Sequence, residues 1–385
     1  MCGITGFKEF SNDLDLEKSL DQATSSLINR GPDYKASFYH QSVGLGHTRL
    51  SIIDTSEKGN QPMSDETGRY TLIFNGEIYN YQELAKTLDI NFYSTSDTEV
   101  LLYLLIKEGS YCLPKLNGFF AFAFYDKKEE SLLLARDRMG IKPLHYFQDE
   151  RFLAFGSEMK ALFNYPIPKV INQQALYWYL RLTYLPAEMS MLEGVKKLLP
   201  GHFMTISGSD VNMQSFWDFE TPSSFIGDYE DAKSQTISLL EESVKKRMIA
   251  DVPLGSFLSG GTDSSAVVAM ASQFDSNLHT FSIGYRDHDF FDETNFAELV
   301  AKKFKTQHTT FSLTNDDLLD CVESVIEYID EPFADSSAIP TYILSKYVSQ
   351  HIKVALSGDG ADELFGGYYK LLAFLRSGER TIPNY

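Results

Sequence analysis

The spacing of apolar residues changes once along this chain, near Tyr229, and no single fold class accommodates both patterns. Before that point short apolar or alternating runs recur, at Val43–Leu50, Tyr70–Phe74, Phe119–Tyr125, Leu132–Ala135 and Phe152–Phe155. Turn residues separate them, as expected of many short strands. One stretch, Asp97–Lys107, has helical spacing instead, with Asp97 or Thr98 able to cap it. Residues 2–165 therefore read as an antiparallel-rich α+β domain. After Tyr229 the pattern alternates: helix Tyr229–Ala250, strand Pro253–Leu258, helix Asp263–Gln273, strand Leu278–Ile283, helix Glu293–Lys303 and strand His308–Phe311. A further helix and the strand Lys353–Leu356 follow. That order predicts a parallel sheet covered on both faces over residues 230–385, an α/β domain. Residues 166–229, where proline and glycine recur around one helix at Gln173–Leu182, read as a connecting segment.

Charge narrows the partners. Thirty-four basic against fifty-three acidic side chains leave a formal charge of −19. Such a surface repels phosphate backbones and anionic lipids, so neither nucleic acid nor a membrane is expected as a partner. The longest basic cluster, Lys245–Arg247, is too short to reverse this. No run approaches the ~18–20 apolar residues of a membrane span. The start, MCGITGFKEF, lacks the basic and apolar stretches of a signal peptide. Three cysteines cannot form a disulfide framework, which suits a reducing, cytoplasmic setting. Cys112 and Cys321 lie in apolar contexts and read as structural.

The remaining cysteine is second in the chain. Methionine before a small residue is commonly removed, which would leave Cys2 with a free α-amino group. That amine has a reference pKa of ~7.7–8.0 and can act as base for its own thiol, without a histidine. A frayed surface residue is the alternative. Asn75-Gly76-Glu77, after the strand Tyr70–Phe74, sets an amide beside a glycine N–H, which suits an oxyanion hole or simply a hairpin turn. Arg49, in HTRLSIID, could clamp a carboxylate bidentately or make a surface ion pair. Asp97 could bind an ammonium or cap its helix.

Together these residues lie in a series of segments: MCGITGF, RGPD (Arg30–Asp33), HTRLSIID (His47–Asp54), FNGEIYNY (Phe74–Tyr81), SDTEV (Ser96–Val100) and LNGFFAFAFYD (Leu116–Asp126). RDRMGIKPL (Arg136–Leu144) and GSEMKAL (Gly156–Leu162) continue it. The series resembles the class II glutamine amidotransferase domain over essentially all of residues 2–165. The resemblance implies an N-terminal-nucleophile hydrolase fold, a four-layer α/β/β/α sandwich of two antiparallel sheets between helical layers. It also implies that Cys2 attacks the side-chain amide of glutamine, with Asn75 and Gly76 as the oxyanion hole. Arg49, with the backbone of Leu50, Ser51, Ile52 and Ile53, would hold the α-carboxylate; Asp97 and Glu77 would hold the α-amino group. Glutamate and ammonia are the implied products.

A second constellation, SGGTDSS (Ser259–Ser265), follows the apolar strand PLGSFL and opens a helix. Backbone N–H groups of such a turn suit a diphosphate anion, and glycines permit close approach. There is no G-K-[ST] ending, so it is not a Walker loop. Taken alone, a glycine-rich strand-to-helix turn with Asp263 as a first-turn charge is the favoured reading. SGDGADELFGGY (Ser357–Tyr368) follows another apolar strand about a hundred residues on. In a parallel sheet two such loops can meet at the carboxyl edge, where Asp263 and Asp362 could share a Mg²⁺ on pyrophosphate oxygens.

This half resembles the ATP-pyrophosphatase domain of glutamine-hydrolysing asparagine synthetases, through SGGTDSS, TFSIGY (Thr280–Tyr285) and SGDGADELFGGY. YLP (Tyr184–Pro186) and KKLLPGH (Lys196–His202) are similar to that family's connecting segment. The resemblance implies an ATP-dependent carbon–nitrogen ligase that amidates aspartate, or another carboxylate, through an acyl-adenylate. Ser259, Gly260, Gly261, Asp263 and Ser264 would bind the pyrophosphate of ATP. Phe257, Leu258, Ile283, Ser357 and Gly358 would line the adenine and ribose pocket. Asp263 and Asp362 would hold Mg²⁺, and Asp359 would assist acyl-adenylate formation. EPFADSSAIPT (Glu331–Thr341) would lie near the acceptor; a homodimer is compatible with the family. Three departures stand out. The second loop reads SGDGADE where asparagine synthetases carry SGEGSDE, a shorter acid at Asp359. EPFADSSAIPT looks closer to a bacterial branch associated with polysaccharide and surface-glycan pathways, which opens the acceptor to sugar-linked carboxylates. Family members also run on past the equivalent of Tyr385, through a lysine-bearing helical portion, so the chain is expected to be a fragment or a natural truncation. An incomplete synthetase half would leave a glutaminase joined to a nucleotide-binding module.

Overall fold

The structure, a computed structural model, describes residues 1–11, 14–219, 225–287, 289–369, 371 and 373–374. Its contacts divide it into two units: Met1–Pro222 with Ile329–Ala334, and Ser223–Tyr328 with Asp335–Tyr385.

The first unit runs, in chain order, through β1 (Gly3–Glu9), α1 (Glu17–Ser26), β2 (Tyr34–His40), β3 (Val43–Arg49), β4 (Met63–Ser64) and β5 (Tyr70–Ile78). Next come α2 (Tyr81–Ala85), α3 (Asp97–Glu108), β6 (Gly118–Asp126), β7 (Ser131–Arg136), β8 (His145–Gln148), β9 (Phe152–Gly156) and α4 (Met159–Leu162). It closes with α5 (Gln173–Leu182), β10 (Val195–Lys197), β11 (His202–Ser207) and β12 (Asp210–Ser215). The strands form two six-stranded antiparallel sheets, ordered β10-β8-β9-β1-β3-β2 and β12-β11-β7-β6-β5-β4.

Strand periodicity explains the layering. Along β6, Ala121, Ala123 and Tyr125 join Ile4, Leu45, Leu153 and Phe155 of the other sheet in one core between the sheets. Phe120, Phe122 and Phe124 point the opposite way and pack with Leu101 and Leu105 of α3. On the far side, Phe7, Phe152 and Ala154 pack against Leu20 and Ala23 of α1 and Met159 of α4. Each central strand is thus apolar on both faces, which is why Phe119–Tyr125 reads as a continuous apolar run. The result is the four-layer α/β/β/α sandwich. Residues 166–219 do more than connect: β10 extends the first sheet, and β11 and β12 extend the second beyond β7.

The second unit runs α6 (Tyr229–Arg247), β13 (Leu254–Phe257), α7 (Thr262–Ala271), β14 (His279–Tyr285), α8 (Thr294–Phe304) and β15 (Gln307–Leu313). It continues with α9 (Asn315–Asp320), α10 (Val322–Tyr328), α11 (Ala338–Val348), β16 (Val354–Leu356) and α12 (Ala361–Phe365). Its four strands are all parallel, ordered β15-β14-β13-β16. Val244, Val268, Ala271, Ala297 and Ala301, from α6, α7 and α8, cover one face. Val348 and Ile352 pack with Phe281, Phe257 and Phe311 on the other. β13 and β16 are neighbours, so the two glycine-rich loops leave adjacent strands at the same, carboxyl edge. Of the helix start expected at Leu371–Arg376, Leu372, Leu375 and Arg376 lie outside the described residues.

Candidate active site

Pairing of β1 with β3 sets the first site. Gly3 faces Thr48, so Cys2 falls beside the residues that leave β3. The Cys2 Sγ accepts the N–H of Leu50 at 3.4 Å and lies 3.7 Å from the Leu50 carbonyl oxygen. Burial pushes the thiol up, opposed by the neighbouring amino terminus, the Leu50 N–H, Lys142 and Arg49. Burial also lowers the amino terminus of Met1 to about 5. That amine is therefore uncharged near neutral pH.

Cys2 lines one cavity with Arg49, Leu50, Ile52, Ile53, Asn75, Gly76, Glu77 and Asp97, together with Met1, Gly59, Gln61, Phe74, Ser96, Thr98 and Lys142. Eight of the expected glutamine-site residues thus line one cavity with Cys2. Ser51 is the exception; it is buried, with its N–H donated to Asp33 Oδ2 at 2.8 Å.

Asn75 is fully buried, and neither its amide nitrogen nor its amide oxygen has a hydrogen-bond partner among the described residues. Buried polar atoms without partners are rare because each costs about 1–3 kcal/mol. Here the orphaned amide borders the cavity that holds the thiol. Gly76 follows on the same strand. N–H groups on one strand edge recur every second residue. The Phe74 N–H goes to Gln61 Oε1 at 2.6 Å and the Ile78 N–H to Asp97 Oδ2 at 2.9 Å. The Gly76 N–H lies between them on that edge. A Cβ at Gly76 would come within 2.2 Å of the Phe119 carbonyl, so only glycine fits.

Asp97 does not cap its helix, and neither does Thr98. Ser96 is the N-cap, accepting the Thr98 N–H at 3.1 Å. The Asp97 carboxylate borders the cavity and takes the Ile78 N–H. Burial, and then the charge of Glu77, raise it to about 7, against the Ile78 N–H. Arg49 is less free than expected. Its guanidinium donates to the Ser56 carbonyl at 2.7 Å, to Asn60 Oδ1 at 2.8 Å and to the Asp54 carbonyl. It braces the loop that lines the cavity while bordering the cavity itself. His47 links the sheets, its Nε2 at 3.2 Å from the Phe74 carbonyl, and burial lowers it to about 3.

Two residues the sequence reading missed belong here. Gln61 ties the β5 edge to Thr98 Oγ1 at 3.2 Å, but it sits in a loop without periodicity and gave no signal. Lys142 is held by a turn whose N–H groups converge on buried Asp137, and its own N–H reaches Asp137 Oδ2 at 3.0 Å. Burial lowers its ammonium pKa, opposed by Glu77. Its signal lay within RDRMGIKPL, where no local pattern marks the lysine apart from its neighbours.

In the second unit the loop Leu258–Gly261 links β13 to α7. Gly260 has φ +86°, and a Cβ there would come within 2.5 Å of Phe296 and 2.6 Å of the Ala297 nitrogen. Ser259 and Ser264 hold the turn closed, Oγ to Oγ at 3.0 Å, and Ser259 Oγ accepts the Gly261 N–H at 3.2 Å. A Cβ on Gly358 would lie 2.9 Å from the Ser264 nitrogen and 3.0 Å from Asp263 Cβ, so the second loop abuts the start of α7. Asp263 lies in the first turn of α7 and Asp362 in that of α12. Asp359 Oδ2 accepts from Ser357 Oγ at 2.9 Å. Phe257 and Ile283 lie on neighbouring strands, whereas the Leu258 side chain packs in the core and its N–H goes to the Phe281 carbonyl at 2.8 Å. No group of three or more His, Cys, Asp or Glu suited to a metal occurs among the described residues. Asp263 and Asp362, at the starts of α7 and α12, are carboxylates of the kind Mg²⁺ takes alongside phosphate and water ligands.

A family model for the glutamine amidotransferase domain matches residues 1–217, and one for asparagine synthase matches residues 235–384. A Methanocaldococcus jannaschii protein, described provisionally as glutamine-hydrolysing asparagine synthetase 2, is 36% identical over 96% of this chain and 76% of its own length. Glutamine-hydrolysing asparagine synthetases 1 and 3 of Bacillus subtilis are 37% and 35% identical. This chain spans 62% and 63% of their respective lengths.

Proposed function

The chain belongs to the glutamine-hydrolysing asparagine synthetase family, and we propose that its first unit frees ammonia from glutamine at Cys2 while its second activates a carboxylate with ATP. The observation that carries the first half is the orphaned Asn75 amide on the cavity of the Cys2 thiol.

After loss of Met1, the freed α-amine of Cys2 takes the thiol proton. The thiolate adds to the side-chain carbonyl carbon of glutamine, and the resulting oxyanion accepts from Asn75 Nδ2 and the Gly76 N–H. Collapse breaks the carbon–nitrogen bond, and the protonated α-amine returns its proton to the departing ammonia. Water then hydrolyses the thioester to glutamate. Asp97 and Glu77 hold the substrate ammonium, and Arg49 with the backbone of Leu50, Ile52 and Ile53 faces its carboxylate.

In the second unit the turn Ser259–Ser264 would cradle the pyrophosphate of ATP at the N-terminus of α7. Phe257, Ile283, Ser357 and Gly358 would flank the nucleoside. Asp263 and Asp362 would hold Mg²⁺, which supplies charge neutralisation at the phosphates. The carboxylate substrate displaces pyrophosphate to give an acyl-adenylate, and ammonia then displaces AMP to give the amide. Aspartate is the substrate named by the family. The shorter Asp359, tied to Ser357, keeps a second reading open, in which a sugar-linked carboxylate is the acceptor; AMP formation across an acceptor series separates the two.

Cys2→Ala tests the scheme: glutamine-supported amidation is lost while ammonia-supported amidation survives. Retention of glutaminase activity in that variant would overturn the assignment.

A further inference from the structure

Residues Ile329–Ala334 cluster with the first unit, although the chain on either side of them belongs to the second. Two adjacent acids fix the segment there. Asp330 Oδ2 accepts the Lys160 N–H at 2.7 Å, and Oδ1 lies 3.3 Å from Lys160 Nζ. α4, which begins at Met159, has no side-chain cap of its own, so Asp330 satisfies one of its free N–H groups from outside. Glu331 takes the Met191 N–H on Oε1 at 2.8 Å, and its Oε2 lies 2.9 Å from Lys197 Nζ and 3.6 Å from His145 Nε2.

From Asp330 a line of alternating charges runs to the nucleophile. Lys160 Nζ lies 3.3 Å from Glu158 Oε2, and Glu158 Oε1 accepts from Arg30 Nη1 at 2.7 Å. Arg30 Nε in turn donates to the Cys2 carbonyl at 2.9 Å. The four side chains are between 6% and 20% exposed, so water screens these pairs less than on an open surface. Glu158 is itself fixed, because its neighbour Ser157 accepts the Ile4 N–H and donates its own N–H to Ile4, tying this turn to β1. Lys160 and Arg30 thus share Glu158, one on each carboxylate oxygen.

We infer that the returning segment is a working part of the amidotransferase unit, with Asp330 a positioning residue for the Cys2 main chain through Lys160, Glu158 and Arg30. The inference rests on the glutaminase reading above and adds a residue that does not touch the substrate. Because the line ends on a backbone carbonyl beside the thiol, it governs where Sγ sits and leaves the glutamine-holding groups Arg49, Glu77 and Asp97 untouched.

The test uses the full chain carrying Asp330→Asn and, separately, Asp330→Ala. Two readouts are taken: glutaminase kcat and KM per folded molecule, and the rate of Cys2 alkylation by iodoacetamide. The expected result is a kcat lowered about tenfold with the KM for glutamine within about twofold, since a small misplacement of a reacting group costs this much. Alkylation of Cys2 should slow in parallel, and Asp330→Glu should restore part of both. Unchanged kcat and alkylation in folded Asp330→Ala overturns the inference, as does a loss fully accounted for by the unfolded fraction. If Cys2→Ala keeps the glutaminase activity, the functional reading falls instead, and the alkylation rates alone decide the role of Asp330.

Discussion

The two candidate sites treat polar groups in opposite ways. In the first unit Asn75, Arg49 and Asp97 are buried, and the structure around them is complete: two sheets, a capped helix and a braced loop fix each one. In the second, Ser259, Gly261 and Asp359 are exposed on loops, and the serine hydroxyls bond one another. The difference suits the ligands proposed for the two sites. An oxyanion that exists only transiently needs donors fixed beforehand in a water-poor place, where hydrogen bonds are stronger. A polyphosphate arrives with its charge already formed and is met well enough by backbone N–H groups at a helix start. Buried sites therefore displace pKa values and tolerate few substitutions, whereas exposed loops depend on backbone shape.

The largest expected effect is at the preformed donor. Asn75→Ala should lower glutaminase kcat roughly 10²–10³-fold with little change in KM, since only the transition state uses the amide. Steady-state kinetics check this, and a purely KM effect would break the contrast by making Asn75 a ground-state binder. Next is Gly358→Ala in the exposed pair of loops. The added carbon meets Ser264 and Asp263, so ATP affinity should fall by at least about tenfold, measured by calorimetry, with glutaminase activity intact.

A smaller effect should appear in pH dependence. Asp97 must be ionised to hold an ammonium, and its pKa is about 7. The KM for glutamine should therefore rise as pH falls below about 7, and Asp97→Asn should raise KM at every pH and abolish the dependence. The sign for stability is opposite. The folded pKa lies above the unfolded value, so the native state binds the extra proton between them, and the ligand-free protein loses stability as pH rises through that interval. Asp97→Asn should remove that slope in denaturant titrations.

The smallest effect concerns Glu331. Burial raises its pKa, but His145 and Lys197 outweigh burial and bring it to about 2. Its contribution is complete above the ordinary carboxylate pKa and is lost as pH falls from about 4.5 towards 2. Glu331→Gln should flatten acid unfolding across that window, and an unchanged profile would show that the anchor contributes nothing.

Much of this was legible beforehand. The apolar runs at Tyr70–Phe74 and Phe119–Tyr125 became β5 and β6, paired in register from Tyr70↔Asp126 to Ile78↔Gly118. The strand–helix alternation after Tyr229 became the parallel sheet, with β13 and β16 side by side as the two loops required. Illegible features share one cause: they depend on partners distant in sequence. The strands β10–β12 are short and hide among prolines and glycines, so only their neighbours β8 and β7 reveal them. Ser96 is a local exception: it caps α3 because Asp97, one of the two residues expected to cap that helix, is already its first residue. Gln61 acts across from Thr98 and Phe74, and no periodicity announces a loop residue.

By itself, then, the sequence determined which chemistry is present: a cysteine at the second position, an Asn-Gly pair ending a strand, and two glycine-rich loops after apolar strands. Local rules suffice for these, because strand period, turn chemistry and helix starts are set by residues a few positions apart. The tertiary structure alone decided which polar groups are left unpaired, which carboxylate is free of its helix, and that Asp330 and Glu331 return to the first unit. Those outcomes are settled by burial and by pairing across the chain, where a group's energy depends on neighbours that sequence order does not name.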